Sequence, residues 1–255
     1  MKPSAFEATF NLRQILELVI LGVLAIGPIR ADGLIAHIAV GGGWTTTITL
    51  VNTTSFAQPT TVYFWDNSGP LTLNVTGLGP SPGFTFNLPA NGSGVAEMTG
   101  DPATTQVGYA TVLGPTVAGN SVFRYSVGHN YPDFEASIPI VPAVEKIVLS
   151  FDNALGYVTG IALANLSIDT SFIQMVIRDE DGNVVTDARP PNVPHQSFVL
   201  KDAYPETTDL RGTIEFVAFS DGDGTPPIAT ISAIAIRANP TGPYTTLTPA
   251  YAGNF

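Results

Sequence analysis

The sequence contains no cysteine in its 255 residues, which excludes disulfides, thiolate metal sites and cysteine nucleophiles. Charged residues are also scarce, at 12% of the chain, and basic residues are the scarcest. Ten Lys and Arg against 21 Asp and Glu give a net charge of −11. Because an acidic chain without a basic run repels phosphate backbones and anionic headgroups, we expect no nucleic-acid partner.

Residue patterns of known catalytic centres are missing as well. The three histidines, His37, His129 and His195, show no HxH or HExxH spacing, so a transition-metal site is not indicated. The nearest match to a serine-hydrolase elbow, residues 91–94, has the wrong spacing and lies in a turn. The acidic residues concentrate in turns, where Asp is favoured for its own hydrogen bonds. We therefore predict that the protein is not an enzyme.

The composition that remains is typical of a folded all-β protein. The chain is 44% hydrophobic, and its 25 Gly and 21 Pro are spread without a short period, which disfavours helices. Residues 44–52 alternate between apolar and polar positions, as expected for a strand with one buried face. Turn signals rich in Gly, Pro, Asn and Asp separate further short runs of the same kind.

Residues 1–31 have the pattern of an export signal. Lys2 and Arg13 precede an apolar run at 18–26, and Ala31 is the expected cleavage site. The apolar run is shorter than the ~20 residues that a spanning helix needs, so we expect a mature chain without a membrane span. Retention of the leader as an anchor is the alternative. The protein is accordingly predicted to be exported, to the periplasm, cell surface or medium.

The most specific feature is an internal repeat. Residues 44–52 align without a gap on residues 157–165, at an offset of 113 positions. We predict two copies of one domain, at 34–139 and 145–249, each with about seven short strands, the number typical of an immunoglobulin-like β-sandwich. The fold class predicted is thus all-β, with two tandem immunoglobulin-like sandwiches behind a signal-peptide helix.

Charged residues retained in both copies suggest one ion pair per domain. Asp66 aligns with Asp179 and Arg124 with Arg237, so one hypothesis is an Asp–Arg contact in each copy. Two independently solvated charges are the alternative, and an exposed pair would add only ~0–1 kcal/mol. The short, proline-containing connection at 140–145 predicts a stiff junction and a rod-like pair suited to a spacer.

One turn of the second copy resembles a calcium loop. Asp179, Asp181 and Asn183 present oxygen ligands at alternate positions, and Asp221 and Asp223 could add carboxylates from a neighbouring loop. The segment lacks the Gly and the Glu that an EF-hand has at loop positions six and twelve. Bound calcium and a solvated turn therefore both remain open.

Trp65 is the candidate for carbohydrate binding. Exported β-sandwich modules hold sugars by stacking the apolar sugar face on exposed aromatic rings. Tyr63 is assigned to the opposite face of the strand, which leaves Trp65 as the platform. The alternative is that Trp65 packs against the neighbouring domain or beneath the loop at 78–83.

The segments 39–52, 123–125, 132–139 and 237–242 carry a family resemblance. With them the chain resembles a group of uncharacterised exported proteins of environmental bacteria, notably Acidobacteria, with tandem immunoglobulin-like or fibronectin-like units. The resemblance implies an exported bacterial β-protein and carries over no catalytic or binding residue.

We expect a non-catalytic structural or interaction protein of the adhesion or spacer type, with a carbohydrate-binding module as the alternative. A protein, a cell-surface polysaccharide or a second copy paired through edge strands are the expected partners. No cofactor is expected unless calcium binds.

Overall fold

The computed structural model describes residues 32–114, 117–126, 133–167, 171–220, 228 and 230–251. These residues belong to one compact unit, Ala31–Phe255. The expected leader and its cleavage site lie outside the described residues, as do Asp221, Asp223 and His129. Within the ranges given, no helix combines the length and the apolar character required to cross a membrane.

The first half forms two antiparallel sheets. In sheet I the strand order is β1-β9-β3, with β4 and β7 both pairing with β3, and in sheet II the order is β11-β10-β2-β8-β5-β6. The strands are β1 (Gly33–Val40), β2 (Trp44–Asn52), β3 (Gln58–Asp66), β4 (Gly69–Pro70), β5 (Leu73–Val75), β6 (Gly79–Ser81), β7 (Gly83–Leu88), β8 (Ser93–Thr99), β9 (Gln106–Leu113), β10 (Val117–Tyr125) and β11 (Phe134–Pro139).

The second half forms two further antiparallel sheets. Sheet III has the order β15-β14-β17-β12-β20, and sheet IV has the order β16-β13-β18-β19. Helix is limited to α1 (Leu200–Ala203) and to the 3-10 turns Ala154–Gly156 and Pro205–Thr207 in the described residues. The strands are β12 (Lys146–Asp152), β13 (Val158–Asn165), β14 (Ser171–Asp179), β15 (Val184–Ala188), β16 (His195–Val199), β17 (Arg211–Ser220), β18 (Ile231–Ala238), β19 (Tyr244–Leu247) and β20 (Ala250–Tyr251).

The all-β class expected from the composition is confirmed. The strand orders of the two halves also correspond. The path β1-β9-β3-β7 in sheet I has the same chain order as β12-β17-β14-β15 in sheet III. The path β11-β10-β2-β8 in sheet II likewise matches β19-β18-β13-β16 in sheet IV.

Each half has its own apolar core between its two sheets. In the first half, Phe64 and Phe123 are 0% and 1% exposed and belong to one buried cluster. In the second half, Met175, Ile177 and Phe216 are all 0% exposed and belong to another. The strands supply these cores through period-two alternation, since successive side chains point to opposite faces of a sheet.

The two halves also share a buried interface. Strand β1 is an edge strand of sheet I, and all of its residues except His37 are buried, so both of its faces are covered. It packs against β13 and β18 of sheet IV. Ala162 and Ile234 of the second half join the core of the first. The halves are therefore held together by packing as well as by the connection at 140–145.

Small side chains on the outer face of β13 allow this close approach. Ala162 and Ala164 are 4% and 0% exposed. At the offset of 113 they correspond to Thr49 and Val51 of β2, which are half-buried on the outer face of sheet II. The second half thus has small apolar side chains where the first half covers it, whereas the first half has a threonine and a larger valine at the equivalent positions.

Candidate functional site

A pair of histidines lies at the interface between the halves. His37 of β1 and His195 at the start of β16 place Nδ1 of the first ring 3.2 Å from Nε2 of the second. The rings are stacked, with centroids 5.3 Å apart and an angle of 20° between their planes. Sequence analysis missed this pair because its members are 158 positions apart. The small outward residues of β13 were the one signal that this face is covered.

The surroundings of the pair are aromatic. Phe123 meets His37 edge to face at 5.9 Å, and Tyr109 stacks on His195 at 6.3 Å. Asn67, in the turn after β3, accepts a 2.8 Å hydrogen bond from the backbone N–H of His195 and ties β16 to the first half.

Burial keeps both rings neutral at ordinary pH. It lowers the pKa of His37 to about 3, with a smaller contribution from the His195 ring. Burial also lowers the pKa of His195 to about 4. The physical cause is the loss of water around the charged form of each ring.

Two shallow grooves flank the pair, each with a volume of about 370 Å³. The first is lined mainly by apolar side chains, including Trp44, Phe123, Phe198 and Ile236. The second is more polar and includes Asn67, Val107, Pro191 and Gln196.

Trp65 lies in a more covered position than a free sugar platform would have. Its indole N–H donates a 2.8 Å hydrogen bond to Oγ1 of Thr111. The half-buried ring packs against the cluster formed by Leu34, Tyr109 and Ala164, the last of which belongs to the second half. Of the two placements considered for Trp65, this geometry favours packing against the neighbouring half.

The assignment of Tyr63 to the opposite face is wrong. Residues two apart in a strand share a face, and the ring centroids of Tyr63 and Trp65 are 6.3 Å apart. Tyr63 is 38% exposed on the outer face of sheet I. The two rings therefore form an aromatic pair with one exposed and one half-buried member.

An apolar groove opens on the first half beside β7 and β8. Leu78 and Val95 are 61% and 60% exposed at this groove. Phe84 and Phe86 form its floor, with ring centroids 5.1 Å apart. Its volume is about 330 Å³, near the lower limit of about 300 Å³ for ligand pockets.

The turn proposed for calcium is closed by its own hydrogen bonds. One carboxylate oxygen of Asp179 accepts hydrogen bonds from the backbone N–H groups of Asp181 and Asn183, at 3.0 and 2.8 Å. The other accepts one from the Asn183 side-chain amide at 3.0 Å. These bonds, led by the one from the amide, lower the pKa of Asp179. Asp221 and Asp223 lie outside the described residues, and within the described ones no three His, Asp or Glu are placed to hold a metal ion.

The predicted ion pair of the first half is not formed. Arg124 lies 3.6 Å from Asp133 instead, and both side chains are exposed. Asp66 accepts a 2.6 Å hydrogen bond from the backbone N–H of Ser68, so it serves the turn after β3. Which carboxylate an arginine contacts depends on which strand lies beside it. The alignment at the offset of 113 did not specify the neighbouring strand.

The predicted pair of the second half, Asp179 with Arg237, is not formed either. Nε of Arg237 lies 2.8 Å from one carboxylate oxygen of Asp152, and Nε of Arg211 lies 3.0 Å from the other. The Arg237 guanidinium also stacks on the Tyr157 ring, 3.4 Å from its centroid. This cluster closes one end of the second sandwich.

Strand register explains why Arg124 and Arg237 differ. Phe123 is paired with Thr46, whereas Arg237 is paired with Thr159, the residue that aligns with Thr46. In the second half, Arg237 thus occupies the position that Phe123 has in the first. This is one residue away from the position of Arg124, which the alignment had predicted for it. Because a shift of one residue moves a side chain to the other face, Arg124 and Arg237 face opposite sides of their sheets.

A scan against protein-family models, a search of the curated proteins and a search of the solved structures each found no match to the chain.

Proposed function

We propose that the protein is an exported, non-catalytic interaction protein built from two copies of one immunoglobulin-like sandwich. The equal strand order of the halves supports the duplication, together with the alignment of residues 44–52 and 157–165. Export is proposed from the leader pattern at 1–31.

The observation that carries the interaction role is the apolar groove on the first half. Exposed apolar side chains that line one groove can mark a site of protein–protein contact. Leu78 and Val95 are more than half exposed there, over a floor of two phenylalanine rings. A protein partner that inserts an apolar side chain between Leu78 and Val95 fits this surface.

The test places a charge in the groove. The purified chain 32–255 is measured for retention on immobilised surface proteins of the producing cell, as wild type and as Val95→Lys. Val184→Lys is the matched control, because Val184 is a valine of similar exposure, 55%, in a strand of the other half. We expect Val95→Lys to reduce retention at least tenfold and Val184→Lys to leave it unchanged. Equal retention of all three proteins would contradict the proposal.

Carbohydrate binding is the second candidate, and the Tyr63–Trp65 pair favours it. Two rings on one face of a sheet, with threonine hydroxyls beside them, offer both the stacking surface and the hydrogen bonds that a sugar needs. We expect Tyr63→Ser to abolish retention on insoluble glycans. Phe56→Ser is the control, since Phe56 is a more exposed aromatic at 63% and lies outside the pair. Retention unaffected by Tyr63→Ser would remove this candidate.

A further inference from the structure

We propose that the His37–His195 contact is an acid-sensitive latch that holds the two halves together and releases them, each still folded, when both rings take up protons.

The geometry of the pair limits it to one shared proton. At an Nδ1 to Nε2 distance of 3.2 Å, one nitrogen donates an N–H and the other must accept it with its lone pair. When both rings are protonated, both facing nitrogens carry hydrogen and both rings carry charge. The contact then changes from a hydrogen bond into a repulsion between two cations.

Among the described residues, no acidic side chain is in ring contact with the pair to offset these charges. The groups in ring contact with the pair are Phe123 and Tyr109, and the amide of Asn67 is already hydrogen-bonded to the backbone of His195. Tyr109 is the titratable group facing the pair, and burial, with a smaller effect of Asp66, raises its pKa to about 12. Among the described residues, no carboxylate raises the pKa of either histidine.

The direction of the pH effect follows from these values. Both folded-state pKa values lie below the ordinary 6.5 of histidine, at about 3 and about 4. The separated halves therefore bind protons more readily than the joined ones. The contact is at full strength above about pH 6.5 and weakens as the pH falls toward the folded-state values.

Release without unfolding is expected because each sandwich keeps its own core. The core of the second half is formed entirely by residues of β12 to β18 and α1, together with the segments between them. The core of the first half takes Ala162 and Ile234 from the second, and Ile236 and Tyr244 pack against it while only partly buried. Separation exposes these four residues and the outer faces of β1 and β13, and the sheet-to-sheet contacts within each half are expected to remain.

The experiment follows chain 32–255 from pH 7.5 to pH 3 by small-angle scattering, far-UV circular dichroism and proteolysis at the 140–145 connection. We expect the radius of gyration and the cleavage rate to rise as the pH falls, while the β-sheet circular dichroism is retained. The double variant His37→Phe, His195→Phe replaces the pair with two rings that cannot titrate and should stay closed over the same range. His129→Phe, the third histidine of the chain, is the matched control and should open like the wild type.

A second readout uses the wild type alone, in case the double variant does not fold. In a proton NMR titration, the ring signals of His37 and His195 should remain those of neutral imidazole until well below pH 5. The proposal is overturned if His37 and His195 titrate near 6.5, if the double variant opens at the same pH as the wild type, or if circular dichroism is lost together with the compact shape.

Discussion

At the residue scale, Asp152 is the side chain that two arginines of the second half share. Its carboxylate accepts from Arg211, from Arg237 and from the backbone N–H of Ala154. Burial alone would raise the pKa of Asp152, but these hydrogen bonds outweigh it and lower the pKa. The negative charge of Asp152 thus offsets the positive charges of Arg211 and Arg237 at one end of the second half.

We expect Asp152→Asn to lower the free energy of unfolding by about 2 kcal/mol, the usual size for hydrogen bonds to a charged group. Because the folded-state pKa lies below the unfolded value of about 3.9, this stabilisation is present above pH ~4 and is lost as the pH falls through the folded-state pKa. Urea denaturation of both proteins at several pH values measures it. Asp133→Asn is the control, since the Arg124–Asp133 contact is exposed, and it should cost about 0.5 kcal/mol or less. Equal losses from the two variants would contradict the assignment.

At the element scale, strands β2 and β13 show which part of the fold could be predicted from sequence. Their core positions match at the offset of 113, because Thr46, Ile48 and Leu50 and their counterparts Thr159, Ile161 and Leu163 are all buried. The alternation therefore identified both strands and their inner faces. It did not reveal that the outer face of β13 is covered by β1, because a run of small residues is compatible with either solvent or close packing.

We expect Ala162→Leu to lower the free energy of unfolding by about 1–3 kcal/mol, the usual cost of overpacking a filled site. Ala162 is 4% exposed and lies where β1 meets sheet IV. The matched control is Thr49→Leu at the equivalent position of β2, which is half-buried and should change stability by less than about 0.5 kcal/mol. Thermal and chemical denaturation of both variants checks this. A loss from Thr49→Leu as large as that from Ala162→Leu would argue against the interface.

At the scale of the whole molecule, the two halves act as one body because an edge strand of one is enclosed by a sheet face of the other. Composition and periodicity predicted the all-β class and, at 44–52 and 157–165, the positions of β2 and β13. The contact between halves joins residues such as His37 and His195 that are 158 positions apart, and it depends on tertiary packing that local pattern does not encode. The same limit explains why sequence alone left two placements open for Trp65, an exposed sugar platform or packing against the neighbouring half.

We expect the separately produced fragments 32–143 and 144–255 to bind each other at neutral pH as a 1:1 complex. Each fragment contains its own two sheets, but the first exposes the outer face of β1 and the second exposes Ile234 and Ile236. Size-exclusion chromatography with light scattering measures the complex. Two fragments that stay monomeric when mixed would show that the halves associate only through their covalent connection.

The enclosure of β1 also sets the order of events during biosynthesis. Strand β1 is the earliest described strand to be synthesised, yet the strands that cover its outer side, β13 and β18, follow only after the rest of the first half. A nascent chain therefore leaves the outer side of β1 uncovered until these two strands have been synthesised. The first half therefore reaches its final burial only once the second half has been synthesised and has folded against it.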